Sequence, residues 1–394
     1  MHNPAQANCT NTTKSPLANM KNLVTYYPKG EKIFKTEVQD VSAPTAADLK
    51  PDEVLIKVAV AGSNPKDYRH PHPNYFNNAI NQGDDCSGTV AAVSTDVKGF
   101  VIGERVAGFH VMQRPFGAYA EYAVCPSHTV FRVPETMSDE EAATIPLAIY
   151  TASVGIYRNL GVPATWERQD GEKVPLVVNG ASSAVGAFAV KLAKLNKRIG
   201  PIIATAGSSK EYAESLGVDA IVDYRSPNVA DEILKAAGGK HVPFIFDAAN
   251  NTRSVEYLTK VLEPKTGRYT CTQPIGAHPM LGAEGPAQQK MLDDIAVWWQ
   301  QVWVGEVHQT KKQGPYVVDD LSKPDAKLFG EIMSLTIERA LAEGRLSGHP
   351  YKVIEGGLTG VEEAYHEIKD RKWSGNAKFV TRIADTPGLQ VNGV

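Results

Sequence analysis

The second half of the chain alternates continuous apolar runs with single helices, and that rhythm leaves few folds open. VPLVVN (174–179) is apolar on both faces, as a central parallel strand covered by helices must be. A glycine- and serine-rich turn follows, then AVGAFAVKLAKL, a helix with small residues in its first turn. The pattern repeats: IGPIIATA strand, KEYAESLG helix, DAIVDY strand, NVADEILKAAG helix, VPFIFDA strand, SVEYLTKVLEP helix, GRYTCTQ strand. Parallel strands joined by single helices require right-handed crossovers, which generate a doubly wound α/β sheet. WWQQVWVGEVH (298–308) supplies a sixth strand after a longer insertion.

The first half reads differently. From Val24 to Arg132 short strands lie between turns: EVLIKVAVAGS (53–63) alternates with β-branched residues, and CSGTVAAVS and GERVAGF follow. Such spacing predicts a small β-barrel-type domain. EAATIPLAIYTASVGIYRNLG (141–161) then turns helical. After Lys323 a long helix, KLFGEIMSLTIERALAEGRL, precedes KFVTRI, a strand too far along to extend the parallel sheet and so expected to return to the first domain. The expected organisation is a mobile tail over 1–19, one domain from 20–149 plus 324–386, and a nucleotide-type domain over 150–323.

At 394 residues the chain can bury two ordinary cores. Its 41 Lys+Arg against 44 Asp+Glu leave a net charge of −3, so it lacks the basic surplus of a nucleic-acid binder. The cysteines (Cys9, Cys86, Cys125, Cys271) are scattered without the spacing of a zinc clip and read as free thiols in a reducing compartment. No apolar run approaches membrane-span length, and the N-terminus lacks an apolar signal core. The expected location is the cytoplasm, with neither membrane nor nucleic acid as partner.

The turn at 179–186, NGASSAVG, lies between strand and helix, where helix N-terminal N–H groups can meet a diphosphate. Gly180, Ser182, Ser183, Ala184, Val185 and Gly186 are the candidate cradle. Small side chains let the phosphates approach, and Gly186 lets the helix pack on the strand. Against GxGxxG the chain has Ala181 and Ser183 at two glycine positions, so its place between strand and helix carries the reading. The second strand ends Ala204-Thr205-Ala206-Gly207-Ser208-Ser209-Lys210, without the carboxylate that takes the ribose hydroxyls of NAD. Ser208, Ser209 and Lys210, with Tyr224 and Arg225 one strand over, suit a 2′-phosphate, which predicts NADPH.

Together GSNPKDYR, GDDCSGTV, GERVAGF, GAYAEYAV, PLAIYTA, GASSAVG, SLGVDAIVDY, GGLTGVEEA and SGNAKFV resemble the medium-chain dehydrogenase/reductase superfamily. The likeness is to its quinone oxidoreductase and enoyl reductase branch, with fungal trans-acting enoyl reductases nearest, and it spans Val24 to Ile383. It implies a GroES-like catalytic domain wrapped around a Rossmann cofactor domain. Zinc enzymes of the superfamily carry cysteine where this chain has Asn64, and Gly-His-Glu where it has Gly83-Asp84-Asp85. With those ligands replaced, no metal is expected.

The resemblance puts the loop with Asn64, Lys66, Tyr68 and Arg69 beside the nicotinamide as candidate hydrogen-bond donors, and Thr151, Gly305 and Asn376 on the cofactor. Without a Lewis acid, hydride addition to an activated C=C bond demands least, because the enolate oxygen needs only such donors. The expected substrate is a small or carrier-bound unsaturated carbonyl compound. Reduction of an aldehyde or ketone, or silent NADPH binding, remain open alternatives. Trp298, Trp299 and Trp303 read as core or dimer packing, and His308, His349 and His366 receive no role. A homodimer through an edge strand near 302–307 is a family-based expectation.

Overall fold

The computed structural model describes residues 19–73, 78–164, 170–277, 283–313, 316–370 and 376–389. All of the expected tail except Asn19 lies outside these residues, as does Cys9. Asn19 opens β1 (Asn19–Tyr26), which pairs antiparallel with β2 (Lys35–Ser42).

The barrel-type sheet is built on β3 (Glu53–Gly62), whose alternation buries Val54, Ile56 and Val58. It pairs with β4 (Asp85–Val93), which in turn holds β5 (Arg105–Phe109). β6 (Tyr122–Pro126) adds to β3, and β7 (Val130–Arg132) to β5. Between β3 and β4 sits the one-turn helix α1 (Pro65–Arg69), with Asn64 as its N-cap. Pro65 at the first helical position gives up no hydrogen bond there.

The helical stretch at 141–161 divides into α2 (Asp139–Ala142), α3 (Pro146–Ser153) and a π-turn segment (Val154–Asn159). The division falls at Pro146, which starts α3 because proline cannot continue a helix from within. Gly155 is required in the π segment, since an added Cβ would lie 2.2 Å from the Phe246 ring.

The parallel sheet comprises β8 (Val174–Asn179), β9 (Ile199–Ala206), β10 (Ala220–Asp223), β11 (Phe244–Asp247), β12 (Arg268–Cys271) and β13 (Trp298–Gln301). Its spatial order is β10-β9-β8-β11-β12-β13, all parallel, so the order reverses at β8. Helices α4 (Ala184–Leu195), α5 (Lys210–Ser215), α6 (Val229–Ala236), α7 (Thr252–Val261) and α8 (Glu284–Asp294) make the connections. This is the Rossmann order, and ligands bind beyond the strand carboxyl ends at the reversal.

The sixth strand forms, but it ends at Gln301. Residues 302–307 are not an edge strand: Val304–His308 is a 3-10 turn. Burial turns that segment inward, because Glu306 pairs with Arg158 and Lys323 while Gly305 packs on Met112, Trp303 and Thr310. An antiparallel hairpin follows, β14 (Thr310–Gln313) and β15 (Tyr316–Asp319). Then come α9 (Asp325–Ala342), β16 (Tyr351–Ile354), α10 (Val361–Asp370) and β17 (Lys378–Arg382). β17 pairs antiparallel with β3, so the chain does return to its first sheet. Among the described residues no helix is long and apolar enough to cross a membrane.

Candidate active site

The strand ends that carry the turn at 180–186 are fixed by a buried polar cluster. Asn179 Nδ2 donates to Asp247 Oδ1 (2.6 Å), and the Tyr257 hydroxyl donates to Asn179 Oδ1 (2.5 Å). Tyr269 and Ser254 hydroxyls donate to Asp247 Oδ2 at 2.7 and 3.0 Å. Burial pushes the Asp247 carboxyl up, and these donors pull it back. Gly180 N donates to Thr205 Oγ1 (3.2 Å), which ties the turn to β9.

Two glycines then make the turn possible. Gly180 has φ +73°, and a Cβ there would meet Ala249 at 2.6 Å. At Gly186 a Cβ would lie 2.2 Å from the Gly180 carbonyl, so α4 could not approach the strand. Ser183 caps α4 by accepting from Gly186 N (3.1 Å). The N–H groups of Ala184 and Val185 have no intrahelical acceptor, as in the first turn of any helix. They open onto a cleft of about 800 Å³ between the sheet ends and the barrel-type sheet.

The cleft gathers Asn64, Lys66, Arg69, Thr151, residues 182–185 and Asn376, all sequence-derived candidates. The Thr151 hydroxyl donates to Leu147 O (2.6 Å) and so presents its oxygen as an acceptor. Asn64 Nδ2 donates to Asp85 Oδ2 (2.7 Å), which commits that donor to the protein. The Lys66 ammonium turns inward, donating to Gln82 O (2.5 Å) and ion-pairing with Asp67 (2.8 Å) and Asp84. Burial alone would lower its pKa, but the two carboxylates outweigh it and raise it. Asp67 is pushed up to about 6 by burial, against the pull of Lys66. His110 faces Asp84 Oδ1 (2.9 Å) and Pro115 O (3.0 Å), two acceptors on its two ring nitrogens.

Tyr68 departs from expectation. Its ring joins the barrel core beside Phe34 (5.7 Å) and Tyr365 (6.3 Å), away from the cleft lining, because its place on α1 faces that apolar cluster. Its hydroxyl instead receives Arg69 Nε (3.2 Å). Arg69 Nη1 reaches across to Gln273 Oε1 (2.8 Å), beyond the end of β12. Arg69 thus spends one N–H on each of these partners, out of five.

Ser208, Ser209, Lys210 and Tyr224 also lie outside the cleft lining, together at the exposed ends of β9 and β10. Tyr224 packs over Gly207, where a Cβ would be 2.7 Å from its ring. Lys210 makes an exposed pair with Glu214 (3.5 Å). Arg225 is held by Asp223 at 2.6–3.1 Å, and its guanidinium lowers that carboxyl to about 2. Gly305 is buried behind Trp303 and Val304, which themselves line the cleft.

Sequence reasoning missed Gln273, His349, Lys378 and the hairpin lysines Lys311 and Lys312, all on the cleft wall. Trp303 is there too, with its indole N–H on Thr310 O (2.8 Å). Only Lys378 carried a signal, inside the SGNAKFV segment. The residues at the superfamily's zinc-ligand positions do not fit that ion. Asp84 is taken by Lys66 and His110, and Asp85 by Asn64, Lys378 and Leu147 N. No group of three or more His, Cys, Asp or Glu suited to a metal occurs among the described residues. The turn, the α4 N-terminus and the small side chains do fit a dinucleotide.

Two family models match the chain: the alcohol dehydrogenase GroES-like domain over residues 50–135 and the zinc-binding dehydrogenase domain over 184–310. The chain is 33% identical over 317 residues to the trans-enoyl reductase fsr4 of Gibberella fujikuroi, covering 79% of this chain and 86% of that one. It is 26% identical over 338 residues to the trans-enoyl reductase FSL5 of Gibberella zeae, covering 83% and 89%. In fold it matches an alcohol dehydrogenase superfamily protein from Novosphingobium aromaticivorans (TM-score 0.70, 19% identity, 92% and 99% covered). It also matches the CurK enoyl reductase (TM-score 0.66, 23% identity, 92% and 98% covered). The chain belongs to the medium-chain dehydrogenase/reductase superfamily, in its enoyl reductase and quinone oxidoreductase branch, and is an oxidoreductase of the kind that uses a nicotinamide cofactor.

Proposed function

We propose that the chain is an NADPH-dependent reductase that adds hydride to an activated C=C bond without zinc. One observation carries the reading: the wall facing the α4 N-terminus closes on itself, with Asn64 and Asp85 committed to each other and Asp85 to Lys378. Relatives that are named trans-enoyl reductases support the substrate class, an enone, enal, quinone or carrier-bound enoyl chain.

The cofactor, when bound, supplies a hydride from its nicotinamide ring. The N–H groups of Ala184 and Val185 and the α4 dipole hold its diphosphate. Thr151 accepts from a ribose hydroxyl, and Ser208, Ser209, Lys210 and Tyr224 take the 2′-phosphate. Hydride addition at the β-carbon would move negative charge to the substrate's carbonyl oxygen, where a preorganised donor stabilises it most, and a proton from solvent would then add at the α-carbon to complete the saturated bond. Arg69 is that donor, since Lys66 and the Asn64 amide are spent within the protein. Leu147, Ala148, Val302, Trp303 and Val304 supply an apolar wall that excludes water from the reacting carbons.

The test is NADPH consumption over a panel of enones, enoyl thioesters, quinones and saturated aldehydes, with products identified and chelator present. The expected outcome is saturation of the C=C bond at a rate that chelator leaves unchanged. Alcohol formation from saturated aldehydes alone, or activity lost with one removed zinc per chain, overturns the proposal.

A further inference from the structure

We infer that Lys378 is a positioning residue, which with Asp85 forms a buried hub setting three walls of the cleft in register. The inference rests on the cleft being a reductase site.

Asp85 opens β4 and is fully buried. Its Oδ2 receives Asn64 Nδ2 (2.7 Å) and the Lys378 ammonium, while Oδ1 receives Leu147 N (2.5 Å). Lys378 has a side chain only 4% exposed, and a second N–H reaches Thr144 O (3.3 Å). The three donors come from three separate elements: the α1 cap, the first turn of α3, and β17. Each places residues on the cleft, Asn64 and Arg69 from the first, Leu147 and Thr151 from the second, Phe379 from the third.

Packing leaves the hub no slack. A Cβ on Gly62 would lie 3.2 Å from Lys378 Cε, 3.1 Å from Asp85 Cβ and 2.2 Å from Ala143 O. An ammonium buried this deeply is tolerated only because a carboxylate meets it. Asp85 in turn has two oxygens and three donors, so loss of Lys378 leaves its charge facing Asn64 and the α3 N-terminus alone. The distance between hydride donor and acceptor carbon is sensitive to shifts of an ångström in such walls. The hub therefore acts on the chemical step through Asn64 and α3, without touching the substrate.

The experiment compares wild type with Lys378→Met, Lys378→Arg and the charge-neutral double variant Asp85→Asn/Lys378→Met. Melting temperature, NADPH dissociation constant, kcat, KM and the isotope effect with 4-deuterated NADPH are measured. Lys378→Met is expected to lose both melting temperature and kcat. The double variant, with no unpaired charge, is expected to regain most of the melting temperature and bind NADPH within about threefold of wild type. Its kcat is expected to stay at least tenfold down with a larger isotope effect, and KM to move less than kcat. Recovery of kcat together with stability means a merely structural pair and overturns the inference. If the double variant fails to fold, Lys378→Arg decides: a severalfold lower kcat with a larger isotope effect supports the hub, and wild-type values overturn it. Wild-type protein silent on every acceptor while still binding NADPH overturns the reductase reading itself, and this inference with it.

Discussion

Replacing Lys210 with alanine tests the cofactor assignment at a residue far from the chemistry. Its side chain is 58% exposed and pairs with an equally exposed Glu214 at 3.5 Å. An exposed i,i+4 pair of this kind contributes about 0.3–0.5 kcal/mol and is given up readily. A hydrogen bond from an ammonium to a phosphate contributes about 1.5–3 kcal/mol. The difference is roughly 1–2.5 kcal/mol, so Lys210→Ala is expected to weaken NADPH binding by about five- to seventyfold. NADH has no 2′-phosphate and should bind within about twofold of its wild-type affinity. Arg225 cannot readily substitute, because Asp223 holds it through three hydrogen bonds. Both dissociation constants are measurable from quenching of tryptophan fluorescence at fixed ionic strength. Equal weakening of the two cofactors, or no change in either, refutes the assignment of the 2′-phosphate to this corner.

Gly186→Ala sets a methyl group 2.2 Å from the Gly180 carbonyl, so it should cost more than tenfold in affinity for both cofactors in the same titration, unlike Lys210→Ala. Asp67 has a folded-state pKa of about 6, above its unfolded value, so the folded chain binds the extra proton; the stability tied to it is present below pH 4 and lost as pH rises through 6. The rise corresponds to on the order of 3 kcal/mol, and urea melts should show a smaller fall in stability between pH 4 and 7 for Asp67→Asn than for wild type. Arg69→Ala removes the contact to Gln273 and the proposed oxyanion donor, and should lower kcat about a hundredfold with little change in melting temperature; Gln273→Ala, which leaves the guanidinium, should lower it far less.

The parallel sheet was legible because its central strands are buried on both faces. VPLVVN and IGPIIATA coincide with β8 and β9, as continuous apolar runs bounded by turns should. Residues 302–307, VWVGEV, read as a further strand, but the choice was made by distant partners. Glu306 is buried against Arg158, 148 residues earlier, and no local pattern encodes that. The candidate site divides in the same way. Backbone features, the turn at 180–186 and the α1 loop, were visible from residue type and position. Side-chain direction was not: Lys66 and Tyr68 lie two residues apart on one turn of helix, and one meets two carboxylates while the other enters an aromatic core.

Asp84 and Asp85 explain how the superfamily's metal-site positions can hold a cleft in shape without an ion. Adjacent residues at a strand start point to opposite sides, so neighbouring carboxylates serve separate networks. Asp84 clamps Lys66, two residues after Asn64, and Asp85 clamps Asn64 itself. The α1 loop is thereby fixed at two points by fully buried anions, each balanced by a lysine. A divalent cation would do the same work by drawing ligands from several elements to one centre. Here two ammonium groups pair with the carboxylates at those positions. The part of the loop left without such an anion is Arg69, whose partners are a tyrosine hydroxyl and a glutamine amide oxygen, both neutral and both easily exchanged for a substrate oxygen. Arg69 is thus held in place, but by neutral partners that a substrate oxygen can replace, as the proposed preorganised donor to developing charge requires.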